Sequence, residues 1–169
     1  MKILGIDPGT ARTGYGSIRS VGKKMTCLDY GCIETSQEES DAKRLVKTHH
    51  AVKKILEKEK PDLVIVERLF FFKNMKTVMT VSQSRGVILM ACEQKKVPIV
   101  EYTPLQIKQS LSGYGRAQKK EVQECVKKHL GLEEIPRPDD AADALAGAIC
   151  HHLRKNEKKE KKQNQSIKF

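Results

Sequence analysis

The chain has 169 residues and a mass of 19.1 kDa, enough for one substantial core and too little for two catalytic domains. A formal charge of +11 and a pI near 9.5 favour an acidic polymer as partner, because a basic surface concentrates phosphates and releases their counterions. No run reaches the roughly 18 apolar residues of a membrane span and the N-terminus carries no signal-peptide apolar region, so a soluble, cytoplasmic protein that binds nucleic acid is the expectation.

In chain order, residues 2–6, 14–20 and 25–34 read as three strands of an antiparallel meander, separated by turn signals that include Val21-Gly-Lys-Lys24. Glycines in Gly14-Tyr-Gly-Ser-Ile18 are expected to let the second strand begin close against the first. Ser36-Gln-Glu-Glu39 has the spacing of a capping box, and Leu45, His49, Val52 and Leu56 recur at helical intervals until Pro61, which predicts a helix over 38–59. A strand over 62–66 follows, then an aromatic loop. A helix over 76–93 is marked by Val78, Val81, Ile88, Leu89 and Cys92, and Val97-Pro-Ile-Val-Glu-Tyr102 reads as a fifth strand.

Pro104 opens a short helix through Leu111, and Gly113-Tyr-Gly115 breaks it. Val122, Cys125, Val126 and His129 mark another helix, and the last is predicted from Asp139 to about Leu153 with Ala142, Leu145, Ala146, Ile149 and Leu153 as its apolar stripe. The order is βββ-α-β-α-β followed by helices, an α/β domain over residues 1–153 with a five-stranded mixed sheet. Residues 154–169 hold seven Lys or Arg against two Glu. That apolar-poor segment is expected to be a disordered basic tail, since it buries too little surface to offset its chain entropy. The five cysteines, Cys27, Cys32, Cys92, Cys125 and Cys150, form no C-x-x-C pair and read as small hydrophobes in a reducing compartment.

Four acids stand out. Asp7 ends the apolar strand Met1-Lys-Ile-Leu-Gly-Ile-Asp7 and enters a Pro-Gly turn; Glu67 ends Asp62-Leu-Val-Ile-Val-Glu67, and open sheets put ligands at such strand ends. Asp140 and Asp143 are three apart in a helix and share a face. Hard divalent cations such as Mg²⁺ prefer oxygen ligands of this kind. Each acid has a plainer reading taken singly: acids in a first helical turn complement the macrodipole, and an acid after a strand can simply start a solvated loop.

Phe70-Phe-Phe72, followed by Lys73 and Asn74, concentrates aromatics where one face cannot bury them all. Base stacking is worth about 1–3 kcal/mol per base, so Phe70 is expected to stack and Phe71 and Phe72 to pack. Gly113-Tyr-Gly115 could cradle a phosphate at a helix N-terminus, although such glycines usually make turns. The pairs His49/His50 and His151/His152 point their members different ways on a helix and are not expected to bind metal.

Taken together, Gly5-Ile-Asp-Pro-Gly-Thr-Ala-Arg-Thr-Gly-Tyr-Gly16, Glu67-Arg-Leu-Phe70, Gly113-Tyr-Gly-Arg-Ala-Gln-Lys119 and Asp140-Ala-Ala-Asp-Ala-Leu-Ala146 resemble the RuvC family of Holliday junction resolvases over residues 1 to about 153. The resemblance implies a ribonuclease H-like fold, a homodimer, and paired nicks in opposed strands of a four-way DNA junction. It further implies Asp7, Glu67, Asp140 and Asp143 as metal-binding catalytic acids, Phe70 beside the junction bases, and Lys108, Arg116 and Lys119 as DNA-binding residues. A branch-migration complex of the RuvA and RuvB type is an implied partner. Asp139 is an extra acid beside Asp140 and also has a same-face spacing to Asp143, so it is the alternative to Asp140 in the cluster; Asp140 is the expected ligand, with Asp139 capping the helix.

Hydrolysis of a phosphodiester needs an acidified water, a stabilised leaving oxygen and in-line geometry, and two metal ions about 4 Å apart supply all three. Mg²⁺, with Mn²⁺ as substitute, is the expected cofactor, two ions per site. Asp7 is the expected bridge between them, Glu67 and Asp143 each hold one, and Asp140 completes the set. The helix over 76–93 is the expected dimer interface, or else intrachain core. Other readings are a ribonuclease H-like enzyme acting on RNA or RNA–DNA hybrid, an actin or sugar-kinase type ATPase, which needs two lobes, and a non-enzymatic DNA-binding protein, which leaves the four acids unexplained.

Overall fold

In the strand Lys2–Asp7 (β1), Ile3, Gly5 and Asp7 face one way and Leu4 and Ile6 the other, because side chains alternate along a strand. The computed structural model describes residues 1–68 and 78–166. β1 pairs antiparallel with Arg12–Val21 (β2), in a register that sets Ile3 against Ile18, Gly5 against Gly16 and Asp7 against Gly14. Lys24–Glu34 (β3) continues the meander, with a register shift at Ser17/Ile18.

Asp41–Glu59 (α1) then crosses to Leu63–Glu67 (β4), which lies parallel to β1 on its other side; Val78–Gln94 (α2) leads to Ile99–Tyr102 (β5), parallel to β4. The sheet order is β3-β2-β1-β4-β5. Pro104–Ser112 (α3), Lys119–Leu130 (α4) and Asp139–Ser166 (α5) follow. This mixed sheet flanked by helices is the ribonuclease H-like fold. Its parallel strands β1, β4 and β5 bring their carboxyl ends to one edge, where open α/β sheets hold their ligands.

Two cores sandwich the sheet. On one face Leu4, Ile6, Val64 and Val66 pack against Val52 and Leu56 of α1 and Ile88 and Cys92 of α2. On the other Ile3, Ile18 and Ile65 meet Leu145 and Ile149 of α5, with Ile107 of α3 and Val122 and Val126 of α4. Here the strand glycines do a different task from the one expected of them. A Cβ on Gly5 would collide with the Ala144 carbonyl, one on Gly14 with the Asp140 carbonyl, and one on Gly16 with Leu145. The glycines let α5 lie backbone to backbone on β1 and β2, an approach that only residues without a Cβ permit.

Three local expectations are corrected. Ser36 and Glu39 form a turn instead of a capping box: the Glu38 amide donates to Ser36 Oγ at 3.2 Å, Glu39 pairs with Lys47, and α1 starts later, after Ser40. A serine hydroxyl serves an amide two residues on as readily as a helix terminus. Ile88, expected at a dimer contact, is fully buried in the intrachain core. The third concerns the basic tail, which is helical through Ser166. Its Lys, Glu and Gln residues are sound helix formers, and as a continuation of α5 they incur no new nucleation cost. Asn156 donates to the Gly22 carbonyl at 3.3 Å and Glu160 pairs with Lys23 at 2.8 Å, which tethers the extension to the β2–β3 turn.

The histidines of α5 diverge as expected: Tyr102 Oη lies 3.0 Å from His151 Nδ1, and Ser20 Oγ lies 2.7 Å from His152 Nδ1. All five cysteines are free, with Cys92 and Cys150 buried and the others half-buried. No helix among the described residues is long and apolar enough to cross a membrane.

Candidate active site

Strand alternation carries Asp7 and Glu67 to the same face. Ile3 and Ile65 point toward α5, so Asp7 and Glu67, each an even number of residues further on, do too. The parallel register, which pairs Ile6 with Val66, sets the two acids side by side at the carboxyl edge. The first turns of α5 descend onto that edge because Gly14 admits the Asp140 backbone. Asp140 and Asp143 thereby join Asp7 and Glu67.

The electrostatics record how close the group is. Burial pushes the Asp7 carboxyl well above the usual carboxylate range, and the charges of Glu67, Asp143 and Asp140 push it further. Burial and then Asp143 raise Glu67 to about 7. Asp143 is raised too, since burial outweighs the opposing contact with Lys119. That lysine, the first residue of α4, holds its ammonium 3.0 Å from Asp143 Oδ2. Burial works against its charge, but Asp143 prevails and its pKa rises.

Beside the acids lies a cleft of about 200 Å³, with Glu67, Asp143, Lys108 and Lys119 as its polar lining and Pro104, Ile107, Val122 and Ala146 as its apolar wall. Thr103 starts α3 through a capping box with Gln106, which orients the turn that carries Lys108. Arg116 is exposed in the segment between α3 and α4. Gly113 has φ +85° and donates its N–H to the Gln109 carbonyl, so it caps the C-terminus of α3. This accounts for that glycine without a phosphate. Phe70, with Phe71 and Phe72, lies outside the described residues.

The turn after Asp7 is held from two sides, which the sequence did not disclose. The Gly9 carbonyl accepts from Thr13 Oγ1 at 3.0 Å and from Ser84 Oγ of α2 at 2.8 Å. Asp139 was expected as a helix cap; it lies inside the first turn of α5, with Oδ1 2.5 Å from Arg137 and Oδ2 3.6 Å from Lys119.

Asp7, Glu67 and Asp143, each desolvated, form with Asp140 an all-oxygen donor set of the kind that suits a hard divalent cation, and a cation there would offset the burial and the repulsion that lift Asp7 and Glu67. Among the described residues, no three such side chains are drawn round one point as a finished metal cage. Asp143 is turned to Lys119 instead.

The comparisons with known proteins agree in one direction. A family model described as crossover junction endodeoxyribonuclease RuvC matches residues 3–151. A protein of that name from Syntrophomonas wolfei is 54% identical over 151 residues, covering 89% of this chain and 88% of the relative. Another from Caldicellulosiruptor saccharolyticus is 52% identical over 154 residues, covering 90% and 93%. Among solved structures, Thermus thermophilus RuvC superposes with a TM-score of 0.86 at 36% identity, covering 93% of this chain and 96% of that one. The same protein in complex with Holliday junction substrate gives 0.84 at 34% identity, with the same coverage.

Proposed function

The chain belongs to the RuvC family of crossover junction endodeoxyribonucleases, and we propose that it resolves four-way DNA junctions with Asp7, Glu67, Asp140 and Asp143 as its catalytic, metal-binding acids. The observation that carries this reading is the burial of Asp7, Glu67 and Asp143 together at the carboxyl edge of the sheet, with the charge of Asp140 beside them, in a protein of net charge +11. Like charges are not gathered and desolvated to stabilise a fold.

When bound, two Mg²⁺ or Mn²⁺ ions supply an acidified attacking water and stabilisation of the leaving oxygen. The protein's own task is to hold oxygen donors in fixed positions. Asp7, on the central strand, would hold both ions, Glu67 and Asp143 would each hold one, and Asp140 would complete the set from α5. Lys119 and Lys108, on the cleft wall, receive the negative charge that develops on the phosphate, and exposed Arg116 binds the backbone of the strand. Phe70 stacks on a base at the junction centre.

Two opposed strands need two sites, so the enzyme works as a homodimer whose two-fold axis matches that of the junction. The outer side of α2 is the interface: Met79 and Met90 are 70% and 48% exposed on it, while Ile88 serves the core. The protein acts in the cytoplasm, and a branch-migration complex of the RuvA and RuvB type delivers the junction.

The reading is tested by incubating a labelled four-way junction, a duplex, a single strand and an RNA–DNA hybrid with the protein in Mg²⁺, Mn²⁺ or EDTA. Symmetric nicks confined to the junction and lost in EDTA are expected. Preferential cutting of the hybrid would reject the substrate, and cutting in EDTA would reject the metal-binding role of the acids.

A further inference from the structure

We infer that Asp139 is a positioning residue that takes over Lys119 when a divalent cation claims Asp143. The inference rests on the reading of Asp143 as a metal ligand. Lys119 Nζ lies between two carboxylates, 3.0 Å from Asp143 Oδ2 and 3.6 Å from Asp139 Oδ2. An ammonium and a divalent cation drawn to the same carboxylate repel each other. A cation on Asp143 therefore weakens its hold on Lys119, and Asp139 is the acceptor already at hand. A lysine stem is flexible enough to make the transfer by torsion alone.

Asp139 is held ready for this. Its Oδ1 is fixed by Arg137 Nη1 at 2.5 Å, which leaves Oδ2 turned toward Lys119. With one oxygen committed to Arg137 and the other facing Lys119, Asp139 is occupied as a counter-ion and leaves the metal to Asp140 and Asp143. The device also determines where the lysine waits: at the rim of the cleft, beside the place where phosphate charge develops.

The test is Mn²⁺ binding to the metal-free, full-length protein without DNA, measured by calorimetry in wild type, Asp139→Asn, Lys119→Met and the double variant. Asp139→Asn is expected to weaken Mn²⁺ binding about threefold, the size of a partly exposed ion pair, because Lys119 then keeps Asp143. Lys119→Met is expected to tighten binding. In the Lys119→Met background, Asp139→Asn should change binding by less than about 1.5-fold, since a residue acting through Lys119 has nothing left to act on.

Equal weakening in both backgrounds would overturn the inference, because Asp139 would then act as a ligand or by its charge alone. No weakening in the wild-type background would overturn it as well. The Asp139 side chain is 43% exposed, and Asp139→Ser serves the same cycle if the asparagine variant folds poorly. Asp7→Asn separates this inference from the reading beneath it. If wild type binds no Mn²⁺, or Asp7→Asn leaves binding unchanged, the site assignment fails. If Asp7→Asn abolishes binding while the Asp139 cycle is additive, only the role of Asp139 fails.

Discussion

On the α1/α2 face of the sheet, Leu4, Ile6, Val64 and Val66 send branched side chains outward to meet Val52, Leu56 and Ile88. On the opposite face, the matching stretch of β1 and β2 presents Gly5, Gly14 and Gly16 to the backbone of α5. The first face is a side-chain layer, which tolerates loss of a methylene at a modest cost. The second is a backbone contact with no slack, and its tightness brings two acids of a helix to two acids of a sheet. A core only has to exclude water, whereas a metal site has to hold donor atoms to within about half an ångström.

The sharpest way to break this contrast is Gly14→Ala. Its methyl group would meet a backbone carbonyl that has no rotamer to retreat to, so a loss of about 3 kcal/mol or more and loss of junction cleavage are expected from denaturant unfolding and an activity assay. A variant with wild-type stability and cleavage would show that the close contact positions nothing.

Glu67→Gln should do the reverse to stability. The folded-state pKa of Glu67 is about 7, above its ordinary 4.5. Between those two values the folded protein binds more protons than the unfolded chain, so in metal-free solution stability falls as pH rises through that window and stays low above it. Removing the charge should therefore stabilise the metal-free protein by about 2 kcal/mol at pH 8 and by almost nothing at pH 4, while cleavage is lost. Thermal melts in EDTA at the two pH values check the sign, and a destabilised variant at pH 8 would contradict the burial of an unneutralised acid.

Ile88→Val marks the other side of the comparison and the smallest effect. It should cost about 1 kcal/mol with cleavage per folded molecule unchanged. A large activity defect at unchanged stability would mean that the α2 face, too, controls the site.

Much of this was legible in the chain itself. The apolar runs Ile3-Leu-Gly-Ile6 and Leu63-Val-Ile-Val66, each ending in an acid, already place Asp7 and Glu67 at strand ends, and the register that pairs Ile6 with Val66 then sets them side by side. What escaped were consequences of contacts distant in sequence. The glycines read as a hairpin feature because their partner, α5, lies more than 120 residues away. The Ser84 and Thr13 bonds to the Gly9 carbonyl, and the pairing of Asp139 with Arg137 and Lys119, follow only from the assembled fold. The basic tail was judged as an independent segment, by composition, when its conformation is inherited from the helix before it.

The most direct measurement is single-turnover cleavage of a labelled four-way junction by Asp7→Asn, with junction binding followed in the same preparation. The account predicts no cleavage and affinity equal to or above that of wild type, since one fewer negative charge faces the phosphates. Cleavage at the wild-type rate would contradict it, because the carboxylate at the centre of the buried group would then have no part in the chemistry.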